Sequence, residues 1–138
     1  MARRGSLQDQ IEQRIAERGE ASYLTREFSD LSGERQVLRA LSKVVESGKL
    51  IRLGYGVYGP AVPSSLTGKP VLAARGGFVN ASRQALTKLG VPWEPGAWEQ
   101  AYNEGRSTQV PINGAVRITK KKFARRLAYG GRSLVVER

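Results

Sequence analysis

The chain has 138 residues, 40% of them hydrophobic, which suffices for one modest core or two small ones. It contains no cysteine and no histidine, so disulfides, thiolate metal sites and the commonest general base and metal ligand are excluded. The formal charge is +11 and unevenly spread: residues 1–60 hold ten Lys/Arg against eight Asp/Glu, residues 61–138 hold thirteen against four.

The N-terminus, Met-Ala-Arg-Arg-Gly, leads into a polar helix rather than a signal-peptide core, and no apolar run is long enough for a membrane span, so a cytoplasmic protein is expected. Leu7, Ile11 and Ile15 lie four apart and predict a first amphipathic helix ending near Gly19. Ser22 to Leu24 reads as a short strand, and Thr25 as the cap of a short helix through Phe28. Val37, Leu38, Leu41, Val44 and Val45 then follow the rhythm of one buried helical face, with Ser32 as N-cap and Gly48 in the left-handed position after the end. The opposite face carries Arg35, Gln36, Arg39, Ser42, Lys43 and Glu46. By itself this is the polar outer face of any soluble helix.

The next element changes that reading. Leu50 to Leu53 and Val57 to Tyr58 are strand-like runs around Gly54-Tyr55-Gly56, a glycine-turned hairpin. Three helices followed by such a hairpin predict a winged helix-turn-helix over residues 1–60, whose last helix enters a DNA major groove while the hairpin, the wing, approaches the backbone. Gly54, Gly56 and Gly59 also spell the dinucleotide-binding pattern G-x-G-x-x-G. That motif requires a helix at its last glycines and an acidic residue about 20 positions on. Pro60 and Pro63 follow instead, and positions 76–82 hold no acid, so the pattern is rejected and no cofactor is expected.

Pro60 to Pro70, with Pro63, Ser64, Ser65 and Gly68, has linker composition and predicts a domain boundary at 60/61. Beyond it, Ser82 to Leu89 and Pro95 to Asn103 read as short helices, with Trp93, Trp98 and Tyr102 as core aromatics. Val116 and Ile118 alternate with Arg117 and Thr119, Leu127 and Tyr129 precede Gly130-Gly131, which marks a hairpin, and Leu134 and Val136 lie beyond it. Residues 61–138 are thus expected to form a small α+β domain ending in an antiparallel sheet. Arg117, Lys120, Lys121, Lys122, Arg125, Arg126 and Arg132 make an acid-free basic run there. Three readings stay open for it: a solvated face, a phosphate-tracking surface, or a dock for an acidic protein.

The run Leu38 to Leu53 continuing to Gly56-Val57-Tyr58, together with Ser107-Thr108-Gln109-Val110-Pro111 downstream of Asn103 and Gly105, resembles AbiEi-type antitoxins and their short winged-helix relatives. The resemblance implies a DNA-binding autorepressor, in some cases one that opposes a nucleotidyltransferase-like toxin. That family often carries arginine at the wing tip where this chain has Tyr55, which leaves Arg52 as the cation of the wing.

The expected function is therefore sequence-specific recognition of double-stranded DNA without catalysis. Arg35, Gln36 and Arg39 are expected at base edges, where arginine suits guanine and glutamine suits adenine. Ser32, Ser42, Lys43, Arg52 and Tyr55 are expected at the backbone, with Arg117, Lys120, Lys121, Lys122, Arg125 and Arg126 adding phosphate contacts. The alternative is an interaction protein whose basic second half binds an acidic partner such as a toxin.

Overall fold

The computed structural model of the chain describes residues 5–97, 100, 105, 115–118, 127–129 and 132–137. Ser6 opens the first helix, α1 (Leu7–Arg18): its hydroxyl accepts the Asp9 N–H at 3.2 Å, and the Asp9 carboxylate accepts the Ser6 N–H at 3.1 Å. This reciprocal pairing satisfies two backbone donors that the helix cannot. Gly19, in the left-handed region at φ 58°, ends α1 and donates to Ile15 O at 3.1 Å.

Strand β1 (Tyr23–Leu24) and a 3-10 turn over Thr25–Phe28 follow. Thr25 is the first residue of that turn and not its cap. Leu24 holds the cap position, its N–H donates to Glu27 Oε2 at 2.6 Å, and Thr25 Oγ1 is buried with no hydrogen bond among the described residues. Helix α2 (Glu34–Glu46) is capped by Gly33, which corrects the expectation for Ser32, whose hydroxyl instead donates to Gln36 Oε1. The buried face of α2 is Val37, Ala40, Leu41 and Val44; Leu38 leaves it and is 40% exposed. Gly48 at φ 83° then turns the chain into β2 (Leu50–Gly54) and β3 (Val57–Pro63).

These strands form a sheet in the order β1-β3-β2, with antiparallel pairs Tyr23↔Tyr58 and Arg52↔Tyr58. One face carries Tyr23, Leu50 and Tyr58, packed with Ile11 of α1, Phe28, and Val37, Leu41 and Val44 of α2. The other face carries Leu24, Leu53 and Val57, packed with Ala81 and Ala85 of the third helix, α3 (Gly77–Lys88), and with Leu127. Because alternate residues of a strand point to opposite sides, this sheet is buried on both faces.

The segment expected to be a linker is a hairpin. Strand β3 runs through the expected boundary to Pro63, and β4 (Pro70–Leu72) pairs with it through Ala61↔Leu72, Val62↔Val71 and Pro63↔Pro70. The rejected dinucleotide pattern spans the β2–β3 hairpin, and no helix starts at its last glycine, Gly59. Its lack of a Cβ lets Leu53 and Leu72 close over β3, since a Cβ there would lie 2.4 Å from Leu72 Cδ1.

Downstream, β5 (Trp93–Pro95) pairs antiparallel with β6 (Ala115–Ile118). Strands β7 (Ala128–Tyr129) and β8 (Arg132–Ser133) pair antiparallel on either side of Gly130-Gly131. Strand β9 (Val135–Glu137) returns to β6 in parallel, with Val116↔Val136, so the final sheet is mixed rather than wholly antiparallel. Val116 and Ile118 alternate inward as expected and pack with Leu86 and Val91. Trp93 is half-buried, donates to Thr87 Oγ1 at 2.9 Å and lies under Arg83, 4.9 Å from ring to guanidinium. Most of the expected helix Pro95–Asn103, with Trp98 and Tyr102, and the Ser107–Pro111 block lie outside the described residues; Ala97 and Gln100 are helical. The described chain is an α+β fold with three α-helices, none long and apolar enough to cross a membrane.

Candidate nucleic-acid interface

Burial of Val37, Ala40, Leu41 and Val44 fixes the rotation of α2 and so turns Arg35, Gln36, Arg39, Ser42 and Lys43 to solvent, where all five are exposed. These positions recur at three- and four-residue spacing and share one side of the helix. Among the described residues, no carboxylate lies within 4 Å of Arg35, Arg39 or Lys43. Ser32 is beside Gln36 rather than at the helix start, so the carbonyl end of the glutamine is engaged and its amide N–H groups remain for another acceptor.

The cations around α1 are in a different state. Arg14 grips Asp30 with two bonds of 2.7 and 2.8 Å and donates to Glu27 O at 2.7 Å. Its guanidinium also lies 5.9 Å from the Phe28 ring centroid. That bond holds the Asp30 carboxyl down at about 2, and the same contact raises the guanidinium of Arg14 above its ordinary value. Arg18 reaches Glu27 at 3.3 Å, and Lys49 reaches Glu12 at 3.3 Å. The Arg14 and Arg18 pairs fix the loop ahead of α2 and the 3-10 turn against α1, and the Lys49 pair ties the segment after α2 to α1.

Arg52 leaves β2 on the sheet face that carries Leu50 and Tyr58, the face on which α1 and α2 pack, and its side chain is exposed. Tyr55 sits at the hairpin tip and is 75% exposed. The β2–β3 hairpin is short: Gly54↔Val57 is its last register pair, and Gly56 O accepts the Thr25 N–H at 3.2 Å. A bulge between Arg52 and Gly54 sharpens its twist.

Sequence reasoning missed the first turn of α1. Ser6, Leu7 and Gln8 line an open groove of about 330 Å³ together with Gln36, Arg39, Ala40 and Lys43. No spacing within α2 signals this neighbour, because the approach of α1 depends on their shared core.

The expected phosphate-tracking surface divides. Arg117 is exposed on β6, but its register partners are Glu94 on β5 and Glu137 on β9, so the strands on both sides place an acidic residue opposite it. Lys120, Lys121, Lys122, Arg125 and Arg126 lie outside the described residues.

The two expected domains meet through a polar contact. Gln84 Oε1 of α3 accepts the Ser22 N–H at 2.8 Å and the Ser22 hydroxyl at 3.3 Å. Lys88 Nζ donates to Ser22 O at 2.7 Å, Glu20 at 2.8 Å and both Glu27 oxygens at 3.0 Å. Tyr23, fully buried beneath, donates its hydroxyl proton to Ile15 O at 3.0 Å, and burial pushes its pKa up. Comparison with family models, curated proteins and solved structures finds no match for this chain.

Proposed function

We propose that the N-terminal half is a winged helix and that the protein is a sequence-specific binder of double-stranded DNA, acting as a transcriptional regulator. One observation carries the reading: among the described residues the cations of the outer α2 face, beside Gln36, have no carboxylate partner, whereas Arg14, Arg18, Lys49 and Lys88 are all matched to carboxylates. Side chains that do nothing for the fold, aligned on one rigid helix, are free to meet phosphates and base edges. The element order supports it, with a 3-10 turn standing where a second helix is expected and β1 pairing with the far strand of the wing.

In this reading Arg35, Gln36 and Arg39 reach bases, while Ser42, Lys43, Arg52 and Tyr55 take backbone. The first turn of α1 borders the same groove. Autorepression, and pairing with a toxin encoded nearby, are the roles that the resemblance adds. Footprinting on the promoter of the protein's own operon tests binding, specificity and autoregulation in one assay.

Arg39→Ala is expected to weaken cognate DNA by about 1–3 kcal/mol and to relax preference at one base pair. An equal loss on random duplex would reduce Arg39 to a backbone contact. Neutralising Lys120, Lys121, Lys122, Arg125 and Arg126 should lower the slope of log K against log salt by roughly 0.9 for each phosphate contact removed. An unchanged slope would assign that run to an acidic partner instead.

A further inference from the structure

The tip of the β3–β4 hairpin is not among the residues proposed above to meet DNA, yet it is a built structure. Ser64 N–H donates to Lys69 O at 2.8 Å, Gly68 N–H to Ser64 O at 2.9 Å, and Leu66 N–H to Ser64 Oγ at 3.2 Å. The ordered turn displays Leu66 at 92% exposure, and Val62 and Val71, paired across the strands, are exposed behind it. Of the five large apolar side chains exposed among the described residues, three are on this arm, which makes it a patch rather than scattered surface.

Beside the arm lies an open, mainly apolar groove of about 760 Å³, lined by Ile15, Ala16, Gly19, Gly48, Val62 and Pro70. Glu12, Glu46 and Lys49 also line it. Lys49 is matched to Glu12 at 3.3 Å, which leaves Glu46 with no cation within 4 Å among the described residues. Lys69, on the arm, has no carboxylate within the same distance. The arm therefore offers an apolar knob with one spare positive charge, and the groove an apolar hollow with one spare negative charge.

We propose that the occupant of this groove is the arm of a second copy of the chain, in a two-fold dimer. Knob and groove on one molecule are self-complementary, so a two-fold axis satisfies both twice. Lys69 of each copy then meets Glu46 of the other, a match that matters on a chain of charge +11, where an unmatched apolar contact would have to overcome general repulsion. Pro60, Pro63 and Pro70 have no N–H to donate, so the copies join through side chains and not by strand addition. The groove lies at the C-terminal ends of α1 and α2, and residues 35–43 are outside its lining. The dimer keeps Arg35, Gln36, Arg39, Ser42 and Lys43 of both α2 helices uncovered. If those residues read DNA, which rests on the proposed function, the operator is an inverted repeat.

Sedimentation across a concentration series, without DNA, tests the dimer independently of any DNA reading. Wild type is expected at twice the chain mass. Leu66→Glu, lost from both arms at once, should raise the dimer dissociation constant about a hundredfold. Lys69→Glu and Glu46→Lys should each weaken the dimer, and the chain carrying both should recover wild-type association. A wild type that stays monomeric throughout, or a double exchange no tighter than its parents, would overturn the proposal.

Discussion

Helices α1 and α2 lie on the same sheet face and share one core, yet they use their cations in opposite ways. Arg14 and Arg18 of α1 are matched to Asp30 and Glu27, which are fixed in the turn and loop that lead into α2. Arg35, Arg39 and Lys43 of α2 have no such partners among the described residues. The contrast separates charge that assembles the molecule from charge that the assembled molecule presents. A charged residue is thus informative about function only after its partners are counted, because a matched pair already explains its own presence.

The sharpest way to break the comparison is at Lys88, the most enclosed matched cation. Lys88 and Glu27 have side chains only 18% and 16% exposed, and removal of the ammonium leaves the Glu20 carboxylate without its counter-charge and Glu27 with the 3.3 Å contact to Arg18 alone. Lys88→Met should destabilise the fold by about 3 kcal/mol in a denaturant titration, whereas Arg35→Ala should stay within about 0.5 kcal/mol. Similar losses for both would erase the distinction.

The converse effect is on binding. The double variant Arg35→Ala, Lys43→Ala should keep its unfolding midpoint and lose about 2 kcal/mol or more of cognate affinity, measured by fluorescence anisotropy. A shifted midpoint with unchanged affinity would move these residues to the structural class.

The smallest effect is in acid. Asp30, bonded by Arg14, is held at about 2 against its ordinary 3.8. Below the ordinary value the unfolded chain takes up a proton that the folded chain refuses, so stability falls as pH drops. The contribution of ionised Asp30 is complete above pH 3.8 and is lost as pH falls through about 2. The stability difference between wild type and Asp30→Asn should shrink over that window. A difference independent of pH would show that the Arg14 contact carries no charge-dependent stability.

Local features were legible in the sequence. The four-residue spacing of Leu7, Ile11 and Ile15, the left-handed glycines 19 and 48, and the glycine-tipped turn marked α1, α2 and the β2–β3 hairpin, because periodicity and caps are set within a turn or two of chain. The cap assigned to Ser32 failed by one residue, since Gly33 occupies that position and frees the serine for Gln36. Non-local features were not legible. Prolines 60, 63 and 70 imitate a linker in composition, but Pro60 still supplies its carbonyl to Ala73 N–H at 2.8 Å and the hairpin tolerates the missing donors. The bond from Ser22 to Gln84 spans 62 positions, and neither residue is distinctive alone. The parallel return of β9 to β6 is likewise a property of the whole path. At the candidate site, the residues of α2 follow from helical phase, whereas the absence of matching acids around them is a fact of tertiary structure.

The double coverage of the β1-β3-β2 sheet bears on how such a protein can change over generations. A head cut after Pro63 would retain α2 and the β2–β3 hairpin but bare Leu24, Leu53 and Val57, which α3 and Leu127 now cover, and it would discard the Gln84 and Lys88 contacts as well. The head is not a cassette that recombination can splice onto an unrelated partner at the proline-rich segment. An exchange of the head by shuffling must carry α3 along, so the outer face of α2 is altered more readily by point changes than by trading whole heads.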